Sequence, residues 1–169
     1  NIDIIKAIPK IKKPEGRLQE IGKLINGSKV FVDYAHTPDA LQNVLIASTF
    51  NKRKPNLLFG CGGNRDKLKR KKMGMIANNF AGKIYITDDN PRNENPHTIR
   101  QSIISKCSRA VEIPNRRNAI KKAINELNKG QILIIAGKGH EKKQILKNKI
   151  LNFDDVKIAK FYLNKRSKS

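Results

Sequence analysis

Residues 87–92 of the sequence, TDDNPR, place two carboxylates, an amide, a proline and a guanidinium directly after a short apolar run. An arginine fork matches a carboxylate through two parallel hydrogen bonds, and Asp89 can accept from an ammonium group. Pro91 fixes its own φ and biases Asn90 toward an extended conformation, so the loop is predicted to be stiff. Such a loop suits a zwitterionic ligand, although Asx-Pro pairs also occur in ordinary solvated turns.

Three other polar stretches follow apolar runs in the same way: DYAH at 33–36, GCGGNRD at 60–66 and AGKGHE at 136–141. The glycines at 60, 62 and 63 allow a ligand to approach the backbone closely, as in phosphate-binding loops. The dinucleotide-binding fingerprint nevertheless fails, because Arg65 stands where its third glycine would be. The stretch around Gly137 also lacks the spacing of a Walker A loop. These loops therefore predict a binding site without a standard nucleotide motif.

Predicted strands and helices alternate along the chain. This order favours an α/β fold of the Rossmann-like, doubly wound type, with a mostly parallel sheet of about six strands and helices on both faces. The predicted strands cover 29–33, 56–60, 84–86, 110–113 and 131–136, with a hairpin at 144–151. Because parallel strands end at one edge of the sheet, the four polar loops are predicted to converge there.

The chain of 169 residues is long enough for one domain with a substantial core. Residues 1–26 contain Pro9 and Pro14 and a lysine-rich run, which predicts an irregular lead-in before a domain at 27–169. The sequence begins at Asn1 without an initiator methionine. We therefore expect a piece of a longer protein.

The two cysteines and three histidines stand alone in the sequence. They form neither a disulfide framework nor a zinc motif, which favours a reducing cytoplasm. No apolar run approaches the roughly 20 residues that a membrane span needs, so no membrane association is expected.

The net charge of +22 favours a polyanionic partner at first sight. The lysines, however, are scattered along the whole chain, and aromatic residues that could stack on bases make up only 5% of it. We interpret the charge mainly as a solvated, compositionally biased surface and expect no specific nucleic acid. A basic nucleic-acid-binding module remains the alternative from another functional class.

Five motifs, in order, closely resemble the carboxy-terminal domain of the Mur ligases, and within that family the ligases that add meso-diaminopimelate. They are GRLQE at 16–20, VDYAHTPDAL at 32–41, FGCGGNRDKLKR at 59–70, TDDNPR at 87–92 and AGKGHE at 136–141. The resemblance covers about residues 16–163, and it implies that residues 1–26 lead in from a preceding central ATPase domain.

The resemblance implies an ATP-dependent amide ligase of peptidoglycan precursor synthesis that acts on UDP-N-acetylmuramoyl-L-alanyl-D-glutamate. It implies meso-diaminopimelate contacts at Arg65, Asp89, Asn90, Pro91, Arg92, Gly137 and Glu141. It implies an ATP side at Arg17, Asp33, Tyr34 and His36. The phosphate-binding loop and the Mg²⁺ ligands of such enzymes are expected in a central domain outside these residues, so this chain alone should be inactive.

Two alternatives stay open at this point, one a related ligase and one from another functional class. A ligase for lysine or for folate polyglutamylation would share the domain but not the loop that selects the amino acid. The basic nucleic-acid-binding module would instead bind through its charge, and that binding should fade near physiological salt if scattered lysines alone drive it.

Overall fold

The computed structural model describes residues 15–167, so predictions on residues 1–14 lie outside it. The strands described are β1 (Gln19–Lys23), β2 (Lys29–Asp33), β3 (Asn56–Phe59), β4 (Ile84–Ile86), β5 (Val111–Glu112), β6 (Ile132–Ala136), β7 (Lys143–Leu146) and β8 (Lys149–Asn152). The helices described are α1 (Pro38–Ala47), α2 (Leu68–Phe80), α3 (Pro96–Ile104), α4 (Arg116–Asn125) and α5 (Asp155–Ser167).

Six of these strands form one sheet in the order β1-β2-β6-β3-β4-β5. Every neighbouring pair is parallel except β1 and β2, which run antiparallel. The continuous apolar run of β6 takes a central place, where both faces of a parallel strand are covered. The predicted α/β fold with a mostly parallel, six-stranded sheet is confirmed.

Helices cover both faces of the sheet, as the doubly wound pattern predicts. On one face α1, α2 and α3 bury apolar side chains such as Leu41, Met73 and Ile103. On the other face α4 and α5 bury Ile120 and Ile158 against β2, β3 and β6. None of the helices in the described range is long and apolar enough to cross a membrane.

Helix α1 shows how local sequence sets an element boundary next to the polar loops. The Thr37 side chain accepts a hydrogen bond from the Ala40 amide at 3.3 Å, and Pro38 occupies the first turn, where its missing N–H costs nothing. Helix α4 begins at Arg116, because the Asn115 side chain caps it by accepting a hydrogen bond from the Asn118 backbone amide.

The expectation of an irregular segment up to Asn26 is wrong for residues 19–23, which form the edge strand β1. Its sequence, QEIGK, carries only one large apolar residue, so the alternation that identifies a strand is weak. Antiparallel pairing with β2 and packing against α5 hold it in place. The order of adjacent strands β2, β6, β3 and β4 brings the four polar loops together at one edge of the sheet.

Candidate functional site

A cavity of about 450 Å³ opens where those four loops meet. Eight of the eleven predicted site residues line it: Tyr34, His36, Arg65, Asp89, Asn90, Arg92, Gly137 and Glu141. The remaining three, Arg17, Asp33 and Pro91, do not form its wall. The structure thus brings together side chains that are more than 100 residues apart in the sequence, as the predicted topology requires.

The loop after β4 is held rigidly at the cavity wall. The Arg92 amide donates to the Ile145 carbonyl at 3.1 Å, and Arg92 forms a bridge with Leu146 of β7. Arg92 has a φ of 51°, in the left-handed region that side chains other than glycine rarely adopt. Backbone strain of this kind persists only where the surroundings impose it, and it is common at ligand sites.

The glycine-rich loop after β3 packs directly on this segment. The Gly63 amide donates to the Asn90 carbonyl at 2.9 Å, and the Gly63 carbonyl accepts from Arg92 Nη1 at 2.9 Å. A Cβ added at Gly63 would lie 1.9 Å from the Pro91 carbonyl oxygen, an impossible contact. Gly63 therefore serves close packing between two loops of the protein.

The side chains of Arg65 and Arg92 both lie next to Gly62. A Cβ built there would lie 2.9 Å from Arg92 Nη1 and 3.8 Å from Arg65 Cγ. Arg65 is exposed and donates to the Asn64 carbonyl, while the half-buried Arg92 donates to the carbonyls of Gly63 and Asn90. Among the described residues neither arginine has a carboxylate partner. Both retain donors for a ligand carboxylate.

Two acidic side chains face the same cavity. Asp89 is buried, and one of its carboxylate oxygens accepts a hydrogen bond from the backbone amide of Asn90 at 2.7 Å. Its other oxygen would lie 3.0 Å from a Cβ at Gly137, so the missing side chain keeps this carboxylate accessible. The Gly137 amide already donates to the Asp33 carbonyl at 3.1 Å. Gly137 therefore contributes open space rather than a free N–H.

Glu141 is joined to the opposite loop through a buried polar cluster that the sequence did not reveal. Asn90 Nδ2 donates to Glu141 Oε2 at 3.0 Å, and Asn90 Oδ1 accepts from Lys138 Nζ at 2.9 Å. Lys138 is fully buried, whereas the Glu141 side chain is 36% exposed. Within residues 15–167 no partner takes the other hydrogen of Asn90 Nδ2 or the second oxygen of Glu141, so both are available to a ligand.

The four residues predicted on the ATP side divide into two groups. Arg17 lies with its guanidinium 5.0 Å from the centre of the Tyr34 ring, a cation–π arrangement, and the His36 ring lies 4.6 Å from the same ring. The ring of His140, which sequence reasoning did not select, lies 5.2 Å from Tyr34. These side chains form a cationic and aromatic surface beside the cavity.

Asp33, the fourth residue, has a different environment. One carboxylate oxygen accepts from the Leu18 amide at 2.6 Å, and the other accepts from the Ala35 amide at 2.7 Å. The carboxylate is buried and joins the start of β1 to the end of β2. Its contacts within the chain are those of a structural acid.

Further side chains of the cavity wall escaped the sequence analysis. Lys69 and Lys72 of α2 line it, and Lys69 Nζ donates to the His36 carbonyl at 3.0 Å. Cys61 also lines it, but burial raises the pKa of this thiol to about 12, so it stays protonated and is a poor nucleophile at neutral pH. Helical spacing could have indicated the lysines, but not which way they face.

Residues 16–139 match the sequence profile of the family described as "Mur ligase, glutamate ligase domain". Relatives named UDP-N-acetylmuramoyl-L-alanyl-D-glutamate--2,6-diaminopimelate ligase include one from Buchnera aphidicola subsp. Baizongia pistaciae, 45% identical over 98% of the chain and 33% of the relative. The one from Rickettsia typhi is 48% identical over 95% of the chain and 33% of the relative. The chain thus spans about a third of the length of these curated relatives.

Solved structures agree with this similarity. One of a ligase with the same name has a TM-score of 0.82 and 36% identity, over 96% of this chain and 34% of that one. A folylpolyglutamate synthase from Mycobacterium tuberculosis, complexed with ADP and AMPPCP, has a TM-score of 0.59 and 16% identity, over 81% of this chain and 32% of that one. The second likeness shows a shared fold alone.

Proposed function

Because this chain belongs to the Mur ligase family, we propose that it is the amino-acid-binding domain of a ligase that adds meso-diaminopimelate to UDP-N-acetylmuramoyl-L-alanyl-D-glutamate. The matched family, the relatives' names and the cavity chemistry support this assignment. The threefold greater length of the relatives supports a longer enzyme with additional amino-terminal and central domains.

One observation carries the proposal. Arg65 and Arg92 lack acidic partners among the described residues, and they share a cavity with the carboxylates of Asp89 and Glu141. Meso-diaminopimelate carries two carboxylates and two amino groups, so each charge of the ligand has a counterpart of opposite sign. Arginine forks suit the carboxylates, and acidic oxygens suit the ammonium groups.

In the proposed reaction ATP phosphorylates a carboxylate of the UDP-linked dipeptide, which gives an acyl phosphate and releases ADP. An unprotonated amino group of meso-diaminopimelate attacks the carbonyl carbon of the acyl phosphate. The C–N bond of the amide forms as the C–O bond to phosphate breaks, and the nitrogen loses a proton. The part of this chain is to bind the amino acid and orient its attacking nitrogen, which is a large contribution when two substrates must meet. Asp89 and Glu141 would hold the ammonium groups, and Arg65 and Arg92 the carboxylates.

The proposed nucleotide contacts are Arg17, Tyr34 and His36, which form the aromatic and cationic surface beside the cavity. Asp33 would act behind them, by holding the loop that carries Tyr34. Across residues 15–167 no cluster of three or more His, Cys, Asp or Glu side chains could hold a metal ion. These residues do not fit Mg²⁺, so its ligands, with the catalytic residues of phosphoryl transfer, are proposed in the central domain.

The proposed setting is the cytoplasm, where the UDP-linked dipeptide, ATP and meso-diaminopimelate would be the partners. The high positive charge is not part of the proposal. Lysines such as Lys52 and Lys147 are exposed, and they carry no pattern that would read bases.

The test is amide formation with purified protein. The 169-residue chain alone is expected to give no ATP-dependent ligation, because its sequence contains no loop that binds the β- and γ-phosphates. The same chain joined to the amino-terminal and central domains of the ligase is expected to consume meso-diaminopimelate and release phosphate in equal amounts. Use of L-lysine with equal efficiency, or steady ligation by the chain alone, would contradict the proposal.

A further inference from the structure

Lys138 is a charged side chain with no exposed surface, and the function proposed above does not use it. Burying an ammonium group is expensive unless hydrogen bonds and opposite charge compensate. Lys138 Nζ has both: it donates to Asn90 Oδ1 at 2.9 Å and lies 3.4 Å from Glu141 Oε2. Both partners line the cavity.

The contacts of Lys138 fix the orientation of the Asn90 amide. The carbonyl end of the amide accepts from Lys138 Nζ and, at 3.0 Å, from the Ile145 backbone amide. An ammonium group and a backbone N–H are donors only, so the opposite orientation would place two donors against the Asn90 NH₂ group. With its oxygen held there, the NH₂ group must face Glu141 Oε2, to which it donates at 3.0 Å.

The same contacts leave Glu141 with one oxygen for a ligand. Oε2 accepts hydrogen bonds from the side-chain NH₂ group of Asn90 and from the Lys138 ammonium group. No hydrogen bond to Oε1 is found among the described residues. We propose that Lys138 is a positioning residue that, through Asn90, presents a single oxygen of Glu141 to one ammonium group of the amino-acid substrate. This inference rests on the proposed function, because it deepens the recognition of an ammonium group at that site.

Two effects of removing the Lys138 charge oppose each other. Loss of the nearby cation would make Glu141 more attractive to an ammonium group, but the Glu141 side chain is 36% exposed and water screens that gain. Loss of the buried donor would leave Asn90 Oδ1 with one hydrogen-bond partner fewer in a buried environment. The Asn90 side chain would then no longer be held in one orientation. The second effect should dominate, so Lys138→Met is expected to weaken substrate binding.

The kinetic test uses the ligase that carries this domain. Lys138→Met is expected to raise KM for meso-diaminopimelate roughly 10-fold or more, as loss of a hydrogen bond to a charged group does, with KM for ATP unchanged. In a Glu141→Gln background the same substitution should have less than a third of that effect, because it acts through Glu141. Lys142→Met, at an exposed lysine in the same loop, is the matched control and should change neither constant.

A second measurement does not depend on ligand binding. In ¹⁵N NMR spectra of the 169-residue chain, Lys138→Met is expected to shift the Asn90 side-chain amide signals and speed their hydrogen exchange, while Lys142→Met leaves them in place. If Lys138→Met does not fold, Lys138→Gln provides the comparison, since it can donate but carries no charge. The inference would be overturned by unchanged Asn90 signals or by a lower KM for meso-diaminopimelate in Lys138→Met. It would also be overturned if Lys138→Met had equal effects in the wild-type and Glu141→Gln backgrounds. A wild-type ligase that ignores meso-diaminopimelate would refute the proposed function, while the NMR result would still decide whether Lys138 positions Asn90.

Discussion

The arginines of the core and those of the cavity differ in what they bind. Arg116 is fully buried and pairs with Asp155 through two hydrogen bonds of 2.9 and 2.7 Å. Arg70, 2% exposed, pairs with both oxygens of Glu94 at 2.9 Å. Arg65 and Arg92, in contrast, bond only backbone carbonyls within residues 15–167.

This difference separates charges that hold the fold from charges available to a ligand. A buried guanidinium without a carboxylate would be costly, so a core arginine must come with its acid. Backbone carbonyls satisfy some donors of a guanidinium group but leave its charge uncompensated, so the group can still pair with the anion of a ligand. Arg109 also bonds carbonyl oxygens but does not line the cavity, so a missing acid alone does not identify the site.

The largest effect on the core side is expected for Arg116→Met. It leaves the Asp155 carboxylate buried without its cation, which typically costs about 3–5 kcal/mol of unfolding free energy. Urea denaturation of the 169-residue chain measures this. The double variant Arg116→Met/Asp155→Leu should regain much of the loss, because neither charge then remains buried. A single variant as stable as wild type would show that the pair does not hold α4 and α5 together.

A smaller loss is expected for Glu94→Gln, because the Glu94 side chain is 19% exposed and water can reach the site. We expect about 2 kcal/mol of lost unfolding free energy, since Arg70 keeps hydrogen bonds to the amide but loses the charge. Glu20→Gln is the matched control, because the exposed Lys29–Glu20 pair should contribute less than about 1 kcal/mol. Equal losses in the two variants would remove the distinction between core and surface pairs.

The same pair predicts a dependence of stability on pH. Hydrogen bonds from Arg70 lower the pKa of Glu94 from 4.5 to about 2. A carboxylate with a lowered folded-state pKa stabilises the protein above its unfolded pKa, and this contribution disappears as the pH falls from about 4.5 to about 2. The stability difference between wild type and Glu94→Gln should therefore shrink between pH 6 and pH 2.5. A constant difference across that range would refute the assignment.

Much of the fold could be predicted because the decisive signals are local. Helix α2 forms at Leu68–Phe80, where buried residues such as Met73 and Ala77 recur at the helical spacing that a sequence displays. The four polar loops were predicted at one sheet edge because parallel strands must end there. Strand β1 was missed because its identity depends on pairing with β2, a contact that its own residues barely signal.

The site was predictable as far as residue type indicates chemistry. Arg65, Arg92, Asp89 and Glu141 were selected by their charge and by family motifs, and all four line the cavity. The burial of a charged side chain could not be predicted from the sequence. Lys138 is therefore not distinguished from the other lysines, although it is fully buried. The surroundings of Asp33 were equally hidden: its carboxylate is predicted to serve a nucleotide, and in the structure it accepts hydrogen bonds from two backbone amides.

The most direct test of the account is the choice between meso-diaminopimelate and L-lysine, which lacks the distal carboxylate. The measurement is kcat/KM for both amino acids in the complete ligase, in wild type and in Arg92→Ala, with Arg109→Ala as the control. Sites built for a polar group reject analogues without it strongly, so Arg92→Ala should lower kcat/KM for meso-diaminopimelate by roughly 10²-fold or more. The poor use of lysine should barely change. Equal losses for the two amino acids would mean that Arg92 only supports the loop and that the cavity selects its substrate by other means.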